Sequence, residues 1–136
     1  MTRNRKSAKA AGARFNRSIA DCLAKELCDP NIEVAPSWGA KDKGDVVNVR
    51  IDGYDLVIET KDVATRDLPG GTGEAKVEAV NAGALAGFFV HKRVGTTDPM
   101  KQWVSCTVAE LVAIIRKVPV TPELSQGTTT PNGGVV

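Results

Sequence analysis

The sequence predicts an α/β fold in which a mixed central β-sheet is flanked by helices, in the order α-β-β-β-α-β-β-α. Three observations carry that expectation. Phe15, Ile19, Cys22, Leu23 and Leu27 recur at helical spacing and form one apolar stripe near the N-terminus. Two Val- and Ile-rich runs meet at Asp52-Gly53, a dipeptide that favours a two-residue primed hairpin turn. Leu85 to Val90 is an uninterrupted apolar run, as expected of a strand buried on both faces.

In chain order, the first helix is expected from about Ala8 to Leu27, ended by Asp29-Pro30-Asn31. A short strand over Ile32 to Ala35 stops at Pro36. A turn-rich polar stretch, Ser37 to Gly44, leads into the hairpin strands Asp45 to Ile51 and Tyr54 to Lys61, whose apolar residues fall on both faces. Residues 62–73 contain Pro69, Gly70, Gly71 and Gly73 and read as a mobile loop, followed by a helix over Glu74 to Ala84. After the buried strand, a polar loop from Arg93 to Lys101 precedes a strand over Gln102 to Cys106, with Trp103 expected in the core. Thr107 and Glu110 have capping-box spacing. They open a helix with Val108, Leu111, Val112 and Ile115 on one stripe, stopped by Pro119. Polar and small residues dominate the remainder, so a folded domain over 1–118 with a basic arm at 1–13 is expected, then a flexible tail over 119–136.

The chain has 136 residues, 42% of them hydrophobic and 25% charged, enough for one core. No apolar run approaches the roughly 20 residues that span a bilayer, and no apolar stretch follows the basic N-terminus as in a secretory signal, so a cytoplasmic protein is expected. Cys22, Cys28 and Cys106 are an odd set without a CxxC pair and read as reduced core or near-core thiols. With His91 the single histidine, hydrolytic chemistry falls to carboxylates and lysines. Net charge is only +2, yet Arg3, Arg5, Lys6, Lys9, Arg14 and Arg17 all precede the first acidic residue, Asp21. Such a one-sign block suits phosphates, although a solvated terminus has the same composition.

The chemically pointed feature is Asp45 at the start of one hairpin strand and Glu59-Thr60-Lys61 at the end of the next. Side chains alternate along a strand, so Glu59 and Lys61 share a face, and antiparallel pairing brings Asp45 beside them. Two carboxylates and an ammonium then meet at one end of a hairpin. Hard oxygen ligands of this kind hold Mg²⁺, which polarises a phosphodiester and acidifies bound water. A lysine alongside orients that water or stabilises added negative charge. Salt-bridged strand ends would show the same spacing.

Gly44-Asp45 followed by Glu59-x-Lys61 resembles the PD-(D/E)-x-K nuclease superfamily, and more closely its small Holliday junction resolvases and related phage and bacterial endonucleases. The resemblance spans roughly Arg14 to Ile115 and includes Arg14-Phe15, Lys43-Gly44-Asp45, Glu59-Thr60-Lys61-Asp62, the helix around Glu74 to Asn81, and Val90-His91-Lys92-Arg93. It implies a restriction-endonuclease-like core. It implies Asp45, Glu59 and the Thr60 carbonyl as ligands of Mg²⁺, with Mn²⁺ a substitute, Lys61 as the catalytic lysine and Ser37 near the active site. The implied activity is cleavage of Holliday junctions or other branched DNA by metal-activated water, in recombination and repair, by a homodimer. Gly44 replaces the superfamily's usual proline. Asn16 replaces the glutamate that usually follows the first-helix phenylalanine and faces the metal. An amide brings an oxygen ligand but no charge.

For DNA contact the candidates are Arg3, Arg5, Lys6, Lys9 and Arg14, with Lys76, Lys92 and Arg93. Lys76 also fits a solvated helix face, and His91 is expected to make a structural hydrogen bond. Trp38 could stack on an unpaired base, but an aromatic in such a position is more often core. Two alternatives stand beside the junction nuclease: a catalytically weak or silent DNA-binding protein on the same fold, favoured by Asn16, and a nuclease of the same superfamily with another DNA substrate.

Overall fold

A computed structural model describes residues 4–36, 44–62 and 67–121. These form three α-helices and a mixed six-stranded sheet, an α/β architecture as expected. Helix α1 (Arg5–Glu26) is followed by strands β1 (Glu33–Val34), β2 (Val46–Val47), β3 (Arg50–Ile51) and β4 (Tyr54–Lys61). Helix α2 (Leu68–Ala82), strands β5 (Ala86–His91) and β6 (Trp103–Ser105), and helix α3 (Val108–Arg116) complete the chain order. The sheet order is β1-β2-β4-β5-β6, with β3 also on β4. Every pairing is antiparallel except β4 with β5, which the α2 crossover makes parallel.

The sheet has a core on each face. Ile19 and Ala20 of α1 pack with Val46, Val49, Ile58 and Val90. On the other face Val57 packs with Ala79 of α2, Ala113 of α3, Ala84 and Val120. Because Val120 is buried and its N–H donates to the Leu85 carbonyl at 3.0 Å, the fold continues past residue 118, where the tail was expected to begin.

Local chemistry explains most element ends. The Asn4 side chain accepts from the Ser7 N–H at 2.8 Å, so α1 starts at Arg5 and most of the expected basic arm is helical. Its end is a Schellman turn: Cys28 has φ 53 and the Asp29 N–H returns to the Ala24 carbonyl at 2.9 Å. Asp52 and Gly53 both have positive φ, 51 and 83, as a type I′ turn requires. The expected strand from Asp45 to Ile51 is broken, however. Asn48 takes φ 70 and its amide donates to the Asn31 carbonyl at 2.8 Å, separating β2 from β3. After β5, the Gln102 side chain accepts from the Arg93 N–H at 2.7 Å and donates to the Thr96 and Asp98 carbonyls, closing the loop before β6.

The largest departure is at residues 68–73, which are helix and not loop. Asp67 caps α2 by accepting from the Gly70 N–H at 3.1 Å, and Pro69 lies in the first turn, where its missing N–H costs nothing. Gly71, Ala75 and Ala79 form the buried face. A Cβ on Gly71 would enter the Phe89 ring, and one on Gly87 would strike the Ala75 carbonyl. The glycines admit a close helix–strand contact where composition suggested a breaker.

Helix α3 also faces differently from expectation. The Glu110 carboxylate accepts from the Thr107 N–H at 3.0 Å and from its hydroxyl, the reach-back half of the expected capping box. Glu110 and Ala113 are buried, whereas Val108 is 73% exposed, Leu111 50% and Ile115 71%. Trp103, expected in the core, is half exposed; Cys28 and Cys106 are exposed, while Cys22 is partly buried. All three thiols are free. Among the described residues no helix is long and apolar enough to cross a membrane.

Two glycine substitutions should separate packing from propensity. Gly87→Ala is expected to lower stability by about 3 kcal/mol, because backbone must move to admit the methyl. Gly73→Ala, which meets no atom within 4 Å, should raise stability by about 0.5–1 kcal/mol through helix propensity. Chemical denaturation measures both; equal effects would contradict the close α2–β5 contact.

Candidate functional site

The site begins with β-sheet register. Val46 pairs with Ile58 in the antiparallel β2–β4 ladder, which sets Asp45 opposite Glu59. The Asp45 N–H donates to the Ile58 carbonyl at 2.7 Å, and the Asp45 Oδ2 accepts from the Thr60 N–H at 2.8 Å and, more weakly, from the Thr60 hydroxyl at 3.4 Å. Gly44 allows this approach. It has φ +87, and a Cβ there would lie 2.8 Å from the Ile58 carbonyl oxygen and 2.9 Å from its nitrogen. Proline, fixed near φ −65°, cannot adopt this conformation, so the glycine before Asp45 is required by this backbone. Within a strand, the N–H and C=O of one residue point to the same side, so the Thr60 carbonyl faces the Asp45 edge.

Glu59 is 8% exposed on the α2 face of the sheet, while Lys61, two residues on, shares that face and is exposed. Burial pushes the Glu59 carboxyl well above the usual carboxylate range; a hydrogen bond with Glu78 and the charges of Asp45, Glu78 and Glu74 add to the rise. Glu59 therefore keeps its proton to a higher pH than an exposed carboxyl would. The Glu78 Oε2 is buried without a hydrogen-bond partner. Glu78 was not singled out from sequence; its i+4 spacing from Glu74 was the available signal, placing both on one side of α2.

Asn16 sits on α1 one turn before Ile19 and Ala20, which pack on the Ile58 face of the sheet. Its side-chain oxygen is buried and unpartnered. Among the described residues, no group of three or more His, Cys, Asp or Glu side chains is arranged to hold a metal ion. Asp45 and Glu59 form a pair. Ser37 and Arg3 fall outside the described residues.

The expected DNA contacts are dispersed over the fold. Arg5, Lys6, Lys9 and Arg14 are exposed along the first half of α1. Arg14 and Lys92 line a cleft of about 310 Å³ with Phe15, Ser18 and Asp62. This cleft lies at the carboxyl ends of parallel strands β4 and β5, where open α/β sheets commonly bind ligands. Lys76 points inward instead, with its ammonium 3.8 Å from the buried Glu110 carboxylate, joining α2 to α3. Arg93 places its guanidinium 4.6 Å from the centroid of the exposed Trp103 ring.

His91 makes the expected structural hydrogen bond: its Nε2 is 2.7 Å from the Ser105 hydroxyl oxygen. The imidazole also stacks on Phe89, with centroids 4.8 Å apart. Burial lowers its pKa, so the ring is neutral at pH 7.

No protein-family model, curated protein or solved structure matches this chain.

The Glu59 environment fixes the sign of a pH effect. Below its ordinary value of 4.5, the carboxyl is protonated in folded and unfolded chains alike. As pH rises above that value, the unfolded chain releases the proton while the folded chain keeps it, so stability falls. Glu59→Gln should remove this slope and raise Tm at pH 8, by roughly 4 °C for each kcal/mol recovered. Thermal melts from pH 5 to 9 measure it; parallel curves for parent and variant would contradict the burial of this carboxyl.

Proposed function

We propose that this chain is a metal-dependent, structure-specific endodeoxyribonuclease that cleaves Holliday junctions or other branched DNA, on a restriction-endonuclease-like core. The observation that carries the reading is the placement of Asp45 opposite Glu59, with Lys61 following on the same strand face. The spacing of these residues resembles the PD-(D/E)-x-K pattern, and the β2–β4 register brings them to one end of the sheet.

The residues fit a divalent cation. Mg²⁺ is commonly held by one or two carboxylates, with water and substrate phosphate completing its shell, which a pair such as Asp45 and Glu59 can satisfy. The proton held by Glu59 and the unpartnered Glu78 oxygen mark a local excess of carboxylate that a cation would relieve. Asp45, Glu59 and the Thr60 carbonyl would hold the ion. When bound, Mg²⁺ would polarise the scissile phosphodiester and acidify water beside it.

The chain's own residues set the rest. The Thr60 N–H orients the Asp45 carboxylate. Glu59 must release its proton to serve as a ligand, so metal binding should strengthen as pH rises. The Lys61 ammonium would stabilise negative charge developing on the phosphate. Arg5, Lys6, Lys9 and Arg14, with Lys92 across the cleft, would contact backbone phosphates and make binding salt-dependent. Cutting a four-way junction symmetrically requires two such sites, hence a homodimer.

A non-cleaving DNA-binding protein on the same scaffold is the second reading, and the observation favouring it is the buried, protonated Glu59. One set of measurements separates the two. Mg²⁺ or Mn²⁺ should raise the Tm of the parent chain and not of Asp45→Asn. Asp45→Asn and Lys61→Ala should each reduce junction cleavage by at least about 100-fold while leaving junction affinity within about twofold. Intact four-way, flap and linear substrates at every Mg²⁺ and Mn²⁺ concentration up to pH 9 would leave only the second reading.

A further inference from the structure

Beyond the carboxylate pair, the sheet register aligns three side chains that the proposed chemistry does not use together. Lys61 of β4 pairs with His91 of β5, and His91 pairs with Trp103 of β6. Directly paired residues share a face, so ammonium, imidazole and indole stand side by side across three adjacent strands, about 4.8 Å from one strand to the next. The row lies on the face that carries Glu59, two residues before Lys61 in β4. It is a built surface. The Ser105 hydroxyl and the Phe89 ring fix the imidazole. The Arg93 guanidinium lies over the indole while its backbone N–H is tied to the Gln102 side chain. Even with Arg93 in place, Trp103 remains 50% exposed.

We infer that the Lys61–His91–Trp103 row, with Arg93, is a track for an unpaired DNA strand running away from the Asp45–Glu59 pair. The inference rests on the proposed nuclease reading for the identity of its polymer. Three features select the occupant. A flat indole with a guanidinium beside it offers base stacking and charge together, the combination that holds single strands without regard to sequence. A duplex keeps its base faces stacked internally, so a stacking platform has a use only for unpaired nucleotides. Neither Lys61 nor Arg93 forms an ion pair with a carboxylate among the described residues. Covering these cations with an apolar protein face would strand both charges, whereas a phosphate chain answers them. The branched substrate preferred by this site is therefore one with a single-stranded segment next to the cut, a flap or an opened junction.

The experiment uses the full chain carrying Trp38→Phe, which leaves Trp103 as the single tryptophan, with EDTA present so that binding is read without cleavage. Oligothymidylate of about 15 nucleotides should quench Trp103 emission saturably, and a blunt duplex of equal length should quench it far less. Trp103→Leu keeps apolar bulk and removes the π face; in the parent background it should weaken single-strand binding, read by fluorescence anisotropy of labelled oligothymidylate, at least roughly fivefold, and Trp103→Phe should restore most of it. Unchanged emission, or equal single-strand affinity for Trp103→Leu and the parent, would overturn the track. So would emission that shifts with protein concentration in the absence of DNA, which would assign the face to a second copy of the chain. The two readings fail separately. Quenching without cleavage of any substrate sinks the nuclease alone, and flap cleavage that is indifferent to Trp103→Leu sinks the track alone.

Discussion

Strand β4 is hydrogen-bonded along both edges, to β2 and β3 on one side and β5 on the other, and is packed on both faces. Its position admits no slippage. A shift of one residue would turn Ile58 toward α2 and Glu59 into the apolar layer beneath α1, exchanging every side chain between faces. The β2 contact carries the tightest tolerance, because the backbone at Gly44 approaches Ile58 more closely than any side-chain-bearing residue allows. From that contact follow the location of Asp45 opposite Glu59, the hydrogen bond from Thr60 to the Asp45 carboxylate, and the exit of Lys61 at the strand's end.

The crossover helix acts on the same strand from the other direction. Small residues at Gly71, Ala75 and Ala79 let α2 lie close to β5, and Gly87 reciprocates from the strand. Close approach brings Glu78 within hydrogen-bonding reach of Glu59 and excludes the water that would otherwise solvate both carboxyls. The cost is electrostatic, since like charges held in a dry contact force a proton to remain. The same helix carries Lys76 into contact with Glu110, a buried charge that also receives the Thr107 cap. Packing and polar satisfaction are thus joined in α2: one face supplies small side chains to the sheet, and its flanks meet carboxylates on β4 and α3.

Charge is distributed so that the two sheet faces have different capacities at the same end of the molecule. On the α1 side, Arg14 and Lys92 border a cleft with Asp62. On the α2 side, the acidic pair, Lys61 and the aromatic row share one surface. Parallel pairing of β4 and β5 brings both regions to the carboxyl ends of the two strands, so a polyanion spanning the sheet's end would meet cations on either side of the carboxylates.

Local features were legible from sequence wherever adjacent residues decide the outcome. The Asp52-Gly53 turn, β4 from Tyr54 to Lys61, the reach of Glu110 back to Thr107 and most of α1 depend on dihedral preference, period and caps, all of which act within a few residues. The nearness of Asp45 to Glu59 was only partly readable: the Asp52-Gly53 turn pairs Arg50 with Asp55, a register that would set Asp45 against Thr60, and the extra residue at Asn48 shifts it to Glu59. Tertiary structure decided the rest. Glycines at 70, 71 and 73 look like breakers until a neighbouring ring requires one of them to lack a side chain. An apolar stripe at Val108, Leu111 and Ile115 identifies a helix, yet the side turned inward is Ala113 with Glu110, since a close contact and a distant ammonium outweigh bulk hydrophobicity. Glu78, Ser105 and the exposure of Trp103 are set by contacts between segments distant in sequence, and periodicity within one segment contains no information about which neighbour will arrive.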